Sequence, residues 1–173
     1  MIVECSILND IEYDYLINNV DYLLNIYKSE NLQLINDVYS NSKALGEGTM
    51  TIHALNYLYN NNIHFNNLFK ISGRYWLNDN FNIELYNNNK TVIHKINDNN
   101  NNFFTCFYKL NKNYTYKWLH FLTQNKLFLL NGHIGFENVF ANFINQYEYS
   151  DIIFINKVGI NGYVSVCGTF IDM

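Results

Sequence analysis

Phe136, Val139, Phe140, Phe143 and Ile144 recur at three- and four-residue spacing. That period sets five large apolar side chains on one face of a helix. Such a face must be covered by another apolar layer, so the rest of the chain has to supply a sheet or further helices. The sequence predicts both. Residues 1–7, 32–38 and 68–72 read as strands, the first apolar and β-branched at Ile2 and Val3. Residues 11–28 read as a helix with Leu16, Val20, Leu23, Leu24 and Tyr27 on one face, and residues 47–60 as a second with Met50, Ala54, Tyr57 and Leu58. Residues 40–48 are polar and contain glycine, which predicts a loop.

The second half has a different pattern. Residues 91–96 and 103–110 look like an antiparallel pair joined by a polar loop over 97–102. Residues 114–130 predict a helix that buries Trp118, Phe121 and Leu122, and residues 152–155 and 163–166 read as late strands. Strand–helix alternation followed by hairpins and helices predicts an α/β sheet with an appended mixed section. At 173 residues the chain fits one domain spanning 1–173.

Composition narrows the function classes. Apolar residues make up 49% and charged residues 15%, enough for a real core and too little charge for a disordered chain. The formal charge of −4 supplies no basic field for nucleic acid or anionic lipid. No apolar window approaches the roughly 18 residues of a membrane span. The first ten residues carry Glu4 and Asp10 without Lys or Arg, unlike a secretory signal. Cys5, Cys106 and Cys167 are odd in number and far apart, which fits neither a disulfide framework nor a zinc ribbon. The expected compartment is the cytoplasm. The 33 asparagines point to codon bias in an AT-rich genome. In so Asn-rich a chain, the glycosylation sequons at Asn89 and Asn113 are expected by chance.

Three stretches carry chemistry. In Lys70-Ile71-Ser72-Gly73-Arg74-Tyr75 a strand runs into a small residue, a glycine and a cation. Ligands of open α/β sheets bind at the carboxyl ends of strands. Arg74 there can pair with a phosphate or carboxylate, and Gly73 lets backbone approach a ligand. A turn with a solvated arginine explains the same residues. In Ser42-Lys43-Ala44-Leu45-Gly46-Glu47-Gly48 a loop precedes a helix N-terminus, where free N–H groups and Lys43 can receive a diphosphate. The spacing is not that of a Walker loop, and a plain connection is the alternative. In Gly132-His133-Ile134-Gly135-Phe136-Glu137, Glu137 begins a helix and can act as a general base or merely complement the helix end. His133 and Glu137 lack a third metal ligand. His53, His64, His94 and His120 form no spaced cluster. Tyr75 and Trp76, beside the Arg74 turn, can stack on a sugar or base, or pack.

Taken together these stretches, with the late Val158-Gly159-Ile160-Asn161-Gly162-Tyr163, resemble small glycosyltransferase-like proteins of viruses and bacteria. Those are related to nucleotide-sugar transferases of the GT-A fold, in which a strand ends in a Lys-apolar-[Ser/Thr]-Gly-Arg-Tyr motif. The resemblance runs over about residues 1–168. It implies a Rossmann-like mixed sheet, a nucleotide-sugar donor and a glycan or other hydroxyl acceptor. Glu4 and Ser6 take the place of the acidic-X-Ser turn near the nucleoside. Lys43, Gly46 and Glu47 fall in the loop under the donor, and Lys70, Ser72, Gly73, Arg74 and Tyr75 fall where many such enzymes carry Asp-X-Asp. The chain contains no Asp-X-Asp. From this departure follows the expectation that no residue ligates a metal and that Lys70, Arg74 and Lys43 replace a divalent ion as counter-charge, a divalent ion remaining the alternative. It places the base at Glu137, with His133 and Asp79 in reserve. A GT-A domain begins with a β–α unit ahead of the acidic-X-Ser strand, and this chain starts at that strand. The expectations are an N-terminally shortened domain, a fragment, or a partner chain completing the N-terminal side. The competing expectations are a non-catalytic sugar- or nucleotide-binding remnant and a structural protein that uses the fold as a scaffold.

Overall fold

The structure is a computed structural model. It describes residues 1–95, 103–130, 132, 134–147, 149–164 and 168–173. The expected loop over 97–102, His133, Cys167 and residues 165–166 of the expected last strand lie outside the described residues. The chain divides into two compact units, residues 1–63 with 122–135, and residues 64–121 with 136–173. It is mixed α/β, with two-, four- and three-stranded sheets and five α-helices among the described residues.

In the first unit, β1 (Ile2–Glu4) pairs in parallel with β2 (Leu23–Asn25), Val3 opposite Leu24. α1 (Asp10–Asn19) connects them, started by a capping box. Asn9 Oδ1 accepts from the Glu12 amide at 2.9 Å, and Glu12 Oε2 accepts from the Asn9 amide at 3.0 Å. The helix expected over 11–28 stops at Asn19. Asn18 and Asn19 turn their side-chain amides back onto the carbonyls of Asp14 and Tyr15, which competes with continued helix bonding. Val20 is then extended, and Leu23 and Leu24 satisfy the backbone of β1 instead of continuing an apolar helix face.

The strand expected over 32–38 is a helix, α2 (Leu32–Val38). Asn31 caps it by accepting from the Leu34 amide at 3.1 Å, and Gln33 donates to Asp37 one turn on at 2.7 Å. Leucine and glutamine outweigh the two β-branched residues here. The loop expected over 40–48 is also mostly helix. α3 (Lys43–Asn60) begins at the Ser42 cap, whose Oγ accepts from the Leu45 amide at 3.2 Å. Gly46 is buried inside it, where a Cβ would come within 2.9 Å of the Val38 carbonyl oxygen. The glycine lets α2 and α3 approach closely. Ser42 Oγ also donates to the Leu129 carbonyl at 2.7 Å, and Lys126 pairs with the buried Asp37 carboxylate at 2.5 Å.

In the second unit, β3 (Asn67–Ile71), β5 (Thr91–Lys95), β6 (Phe103–Asn111) and β7 (Ile152–Ile155) form a sheet in the order β3-β6-β5-β7. The β3–β6 and β5–β6 pairs are antiparallel and β5–β7 is parallel. The first part of α4 (Lys112–Leu130) and α5 (Phe136–Ile144) belong to this unit. The apolar stripe of α5 is buried as expected. Phe140 stacks on Tyr108 of β6 at 4.7 Å between ring centres, and the fully buried Trp118 meets Phe136, Phe140 and Phe143.

A second, antiparallel sheet has the order β4 (Tyr75–Leu77), β8 (Ile160–Tyr163), β9 (Phe170–Asp172). β4 and β9 were not foreseen, and the late strand starts earlier than 163. Two glycines explain this course. Gly159 has φ +75°, and a Cβ there would lie 2.3 Å from Phe81 Cα. At Gly162 a Cβ would lie 2.1 Å from Tyr75 Cδ1, so the ring sits where a side chain would be. Tyr75 and the fully buried Ile160 join a core of Tyr86, Val92, Cys106, Phe107 and Val158. Lys109 is buried opposite Val92, its ammonium donating to the Tyr86 carbonyl at 2.8 Å and to the Asn88 carbonyl.

Candidate active site

Lys70 stands near the end of β3, opposite Tyr108. Alternation along the strand turns it to the side of half-buried Leu68, while Phe69 and Ile71 are exposed. Its Nζ donates to Ser72 Oγ at 2.7 Å and to the Thr105 carbonyl at 2.5 Å. It also lies 5.7 Å from the centre of the Tyr108 ring and 5.8 Å from that of Phe136. Two oxygens and two ring faces thus fix one cation.

The strand then turns sharply. The Ser72 amide continues the ladder by donating to the Cys106 carbonyl at 2.8 Å, and the Tyr75 amide donates back to Ser72 O at 3.0 Å. Gly73 and Arg74 form the exposed tip between them. A Cβ at Gly73 would meet nothing within 4 Å, so the protein's own packing does not require glycine there.

Glu137 lies in the first turn of α5, exposed, where the helix dipole favours a carboxylate. Thr105 Oγ1 reaches its Oε1 at 3.4 Å, near the outer limit of a hydrogen bond. Thr105 is itself buried. One buried residue therefore touches the cation through its carbonyl and the carboxylate through its hydroxyl. Sequence reasoning missed Thr105. The only hint was a threonine in the apolar strand 103–110.

The second unit thus brings together Lys70, Ser72 and Glu137, with Gly73, Arg74 and Tyr75 continuing from the same strand end. Tyr75 is half-buried against Gly162. Asp79 is exposed in the turn after β4, and no interaction among the described residues links it to Lys70 or Glu137. Glu4, Ser6, Lys43, Gly46 and Glu47 belong to the first unit. There Glu4 ends β1, and its Oε1 accepts from the Ser6 amide at 2.6 Å. Burial and the Glu4 charge push the neighbouring Cys5 thiol up, and the Tyr39 hydroxyl donates to the Cys5 carbonyl. Lys43 is the exposed first residue of α3, and Glu47 is half-buried one turn further on.

Among the described residues no three His, Cys, Asp or Glu side chains gather as a metal site. No described helix is long and apolar enough to cross a membrane. The chain matches no protein-family model, no curated protein and no solved structure.

Proposed function

We propose that the chain is a glycosyltransferase of GT-A-like architecture that moves a sugar from a nucleotide-sugar donor to a hydroxyl of a glycan or similar acceptor. The observation that carries this reading is the link from Lys70 through Thr105 to Glu137. It sets a held cation and an exposed carboxylate at one strand end, beside the open Gly73-Arg74 tip. Lys70 and Arg74 are the counter-charge for the donor diphosphate, in place of a divalent ion. Gly73 leaves room for the phosphates to approach the backbone. Glu137 takes the proton of the acceptor hydroxyl as its oxygen bonds to the anomeric carbon. The bond from that carbon to the diphosphate breaks, and the nucleoside diphosphate leaves with the electron pair. The reaction is cytoplasmic in this reading.

The helical course of residues 43–48 favours a second reading, a sugar- or nucleotide-binding protein without turnover, because most of the loop expected over 40–48 is taken up in α3. Release of nucleoside diphosphate from a panel of nucleotide sugars, with and without acceptor glycans, separates the two. The enzyme reading expects turnover that Glu137→Gln lowers by about 10²–10⁴-fold while donor affinity is kept. Donor binding with no turnover in the unaltered protein supports the second reading and overturns the first.

A further inference from the structure

The β4-β8-β9 sheet has one face on the core and one in solvent. Outer faces of antiparallel sheets are ordinarily polar. This one carries three large rings. Register fixes which residues share it: Trp76 lies opposite Asn161, Tyr163 opposite Phe170, and Asn161 opposite Asp172. Period-two alternation then places Trp76, Asn161, Tyr163, Phe170 and Asp172 on the same side, away from Tyr75 and Ile160. Trp76, Tyr163 and Phe170 are 46%, 48% and 48% exposed. Their ring centres lie 5.5–6.2 Å apart, tilted or edge to face, so they form one contiguous aromatic surface. Beside it runs a polar row. Asn78 Nδ2 donates to Asp172 Oδ1 at 3.0 Å, and the Asn161 amide lies 2.6 Å from the same nitrogen.

From this juxtaposition we propose that the Trp76–Tyr163–Phe170 face with its Asn78–Asn161–Asp172 row is a carbohydrate-binding surface that seats one pyranose of a glycan. A pyranose has an apolar C–H face and a rim of hydroxyls, and this surface offers a match to each. The rings take the C–H face. Asn78 holds one oxygen of the Asp172 carboxylate, so the carboxylate is oriented, and its other oxygen accepts from hydroxyls at the sugar's rim. The same carboxylate disfavours the alternatives. It repels phosphate, and covering it with an apolar protein surface would leave a buried charge unpaired. β4 begins one residue after Arg74, at the end of the turn that carries the proposed donor groups. As the acceptor's seat, the surface rests on the glycosyltransferase reading; as a saccharide site it does not.

The chain's two tryptophans make a direct test. Trp118 is fully buried and Trp76 is exposed. The two indole N–H signals in a ¹H–¹⁵N spectrum are assigned with Trp76→Phe, then followed against α- and β-methyl pyranosides of the common hexoses, pentoses, deoxyhexoses and N-acetylhexosamines up to about 50 mM. No donor is present. A saturable shift of the Trp76 signal by at least one pyranoside is expected, with Trp118 unmoved. Phe170→Ala should weaken it about tenfold and Asp172→Asn about fivefold. These side chains are exposed, so the folded spectrum should persist; a spectrum that collapses in Phe170→Ala is replaced by Phe170→Leu, which keeps bulk and loses the ring. No shift with any pyranoside overturns the proposal. So does concentration-dependent self-association lost in Trp76→Ser, which would make the face an interface between copies. Pyranoside binding without donor turnover would sustain this surface while the enzyme reading fails. Turnover with an unmoved Trp76 would do the reverse.

Discussion

The ammonium of Lys70 lies 2.5 Å from the carbonyl oxygen of Thr105, and the hydroxyl of that same threonine reaches Glu137. Thr105 is thereby a fixed spacer between a cation and a carboxylate. Lys70→Met keeps the apolar stem and removes the charge. Its expected cost in stability is about 1 kcal/mol, from the lost bonds to Ser72 and Thr105. Its expected cost in donor affinity is about tenfold or more. Denaturant melts and donor titrations on one preparation check both. A stability loss with donor affinity unchanged would mean that Lys70 only supports the fold.

With Lys70 and Arg74 as counter-charge, nucleotide-sugar turnover should be unchanged within about twofold by EDTA or by added Mn²⁺ or Mg²⁺. Turnover that vanishes in EDTA and returns with one of these ions would assign the charge to a metal instead.

Gly162 and Gly73 should behave oppositely. Gly162→Ala drives a methyl to 2.1 Å from the Tyr75 ring and 2.7 Å from the Arg74 carbonyl oxygen. Its expected cost is about 2–4 kcal/mol. Gly73→Ala meets no atom of the protein within 4 Å, so stability should stay within about 1 kcal/mol. If a donor phosphate approaches the backbone there, the same methyl lowers donor affinity. Thermal melts and donor titrations of the pair give the answer.

His94 gives stability a pH dependence. It is buried in β5, stacked on Phe104 at 4.9 Å between ring centres. Burial pushes its pKa down from the ordinary 6.5, with a hydrogen bond to the Asn156 backbone offsetting part of that. As pH falls below 6.5 the unfolded chain takes up the proton first, so it binds more protons than the folded one. The stability present at neutral pH is then lost progressively until the folded imidazole also titrates. Burial lowers His53 in the same direction. Urea melts at about pH 7.5 and about pH 5.5 should show the loss, up to about 1.4 kcal/mol per pH unit for one proton. His94→Gln should make it shallower, leaving the His53 share; an unchanged slope would assign it elsewhere.

Where side chains repeat with a long period or pair over several residues, the sequence was legible. The α5 stripe, the 114–130 helix, the strand over 68–72 and the 91–96/103–110 pair are found within a few residues of expectation. The first forty residues were harder. Leu23-Leu24 satisfies a helical spacing but is taken by a strand partner, and Leu32–Val38 has too few residues for its period to decide between strand and helix. Asparagine side chains set several boundaries through caps at Asn9, Asn25, Asn31 and Asn82. In a chain with 33 asparagines such caps do not stand out. At the site, the chemistry-bearing residues were visible, and what joins them was not. Thr105 contributes one carbonyl and one hydroxyl, and only the pairing of β3 with β6 shows that they lie between Lys70 and Glu137. The aromatic face was likewise hidden, because it depends on the register of β8 and β9.

The most direct measurement is a thermal-shift screen of the purified chain against a panel of nucleotide sugars, with and without Mn²⁺, alongside Arg74→Ala. Arg74 is exposed at the turn tip, so its loss should leave the unliganded melting temperature nearly unchanged. With a donor site at this turn, one donor should raise the melting temperature without metal, and Arg74→Ala should abolish the rise. A well-folded protein that no nucleotide sugar stabilises, or a donor that stabilises Arg74→Ala equally well, would contradict it.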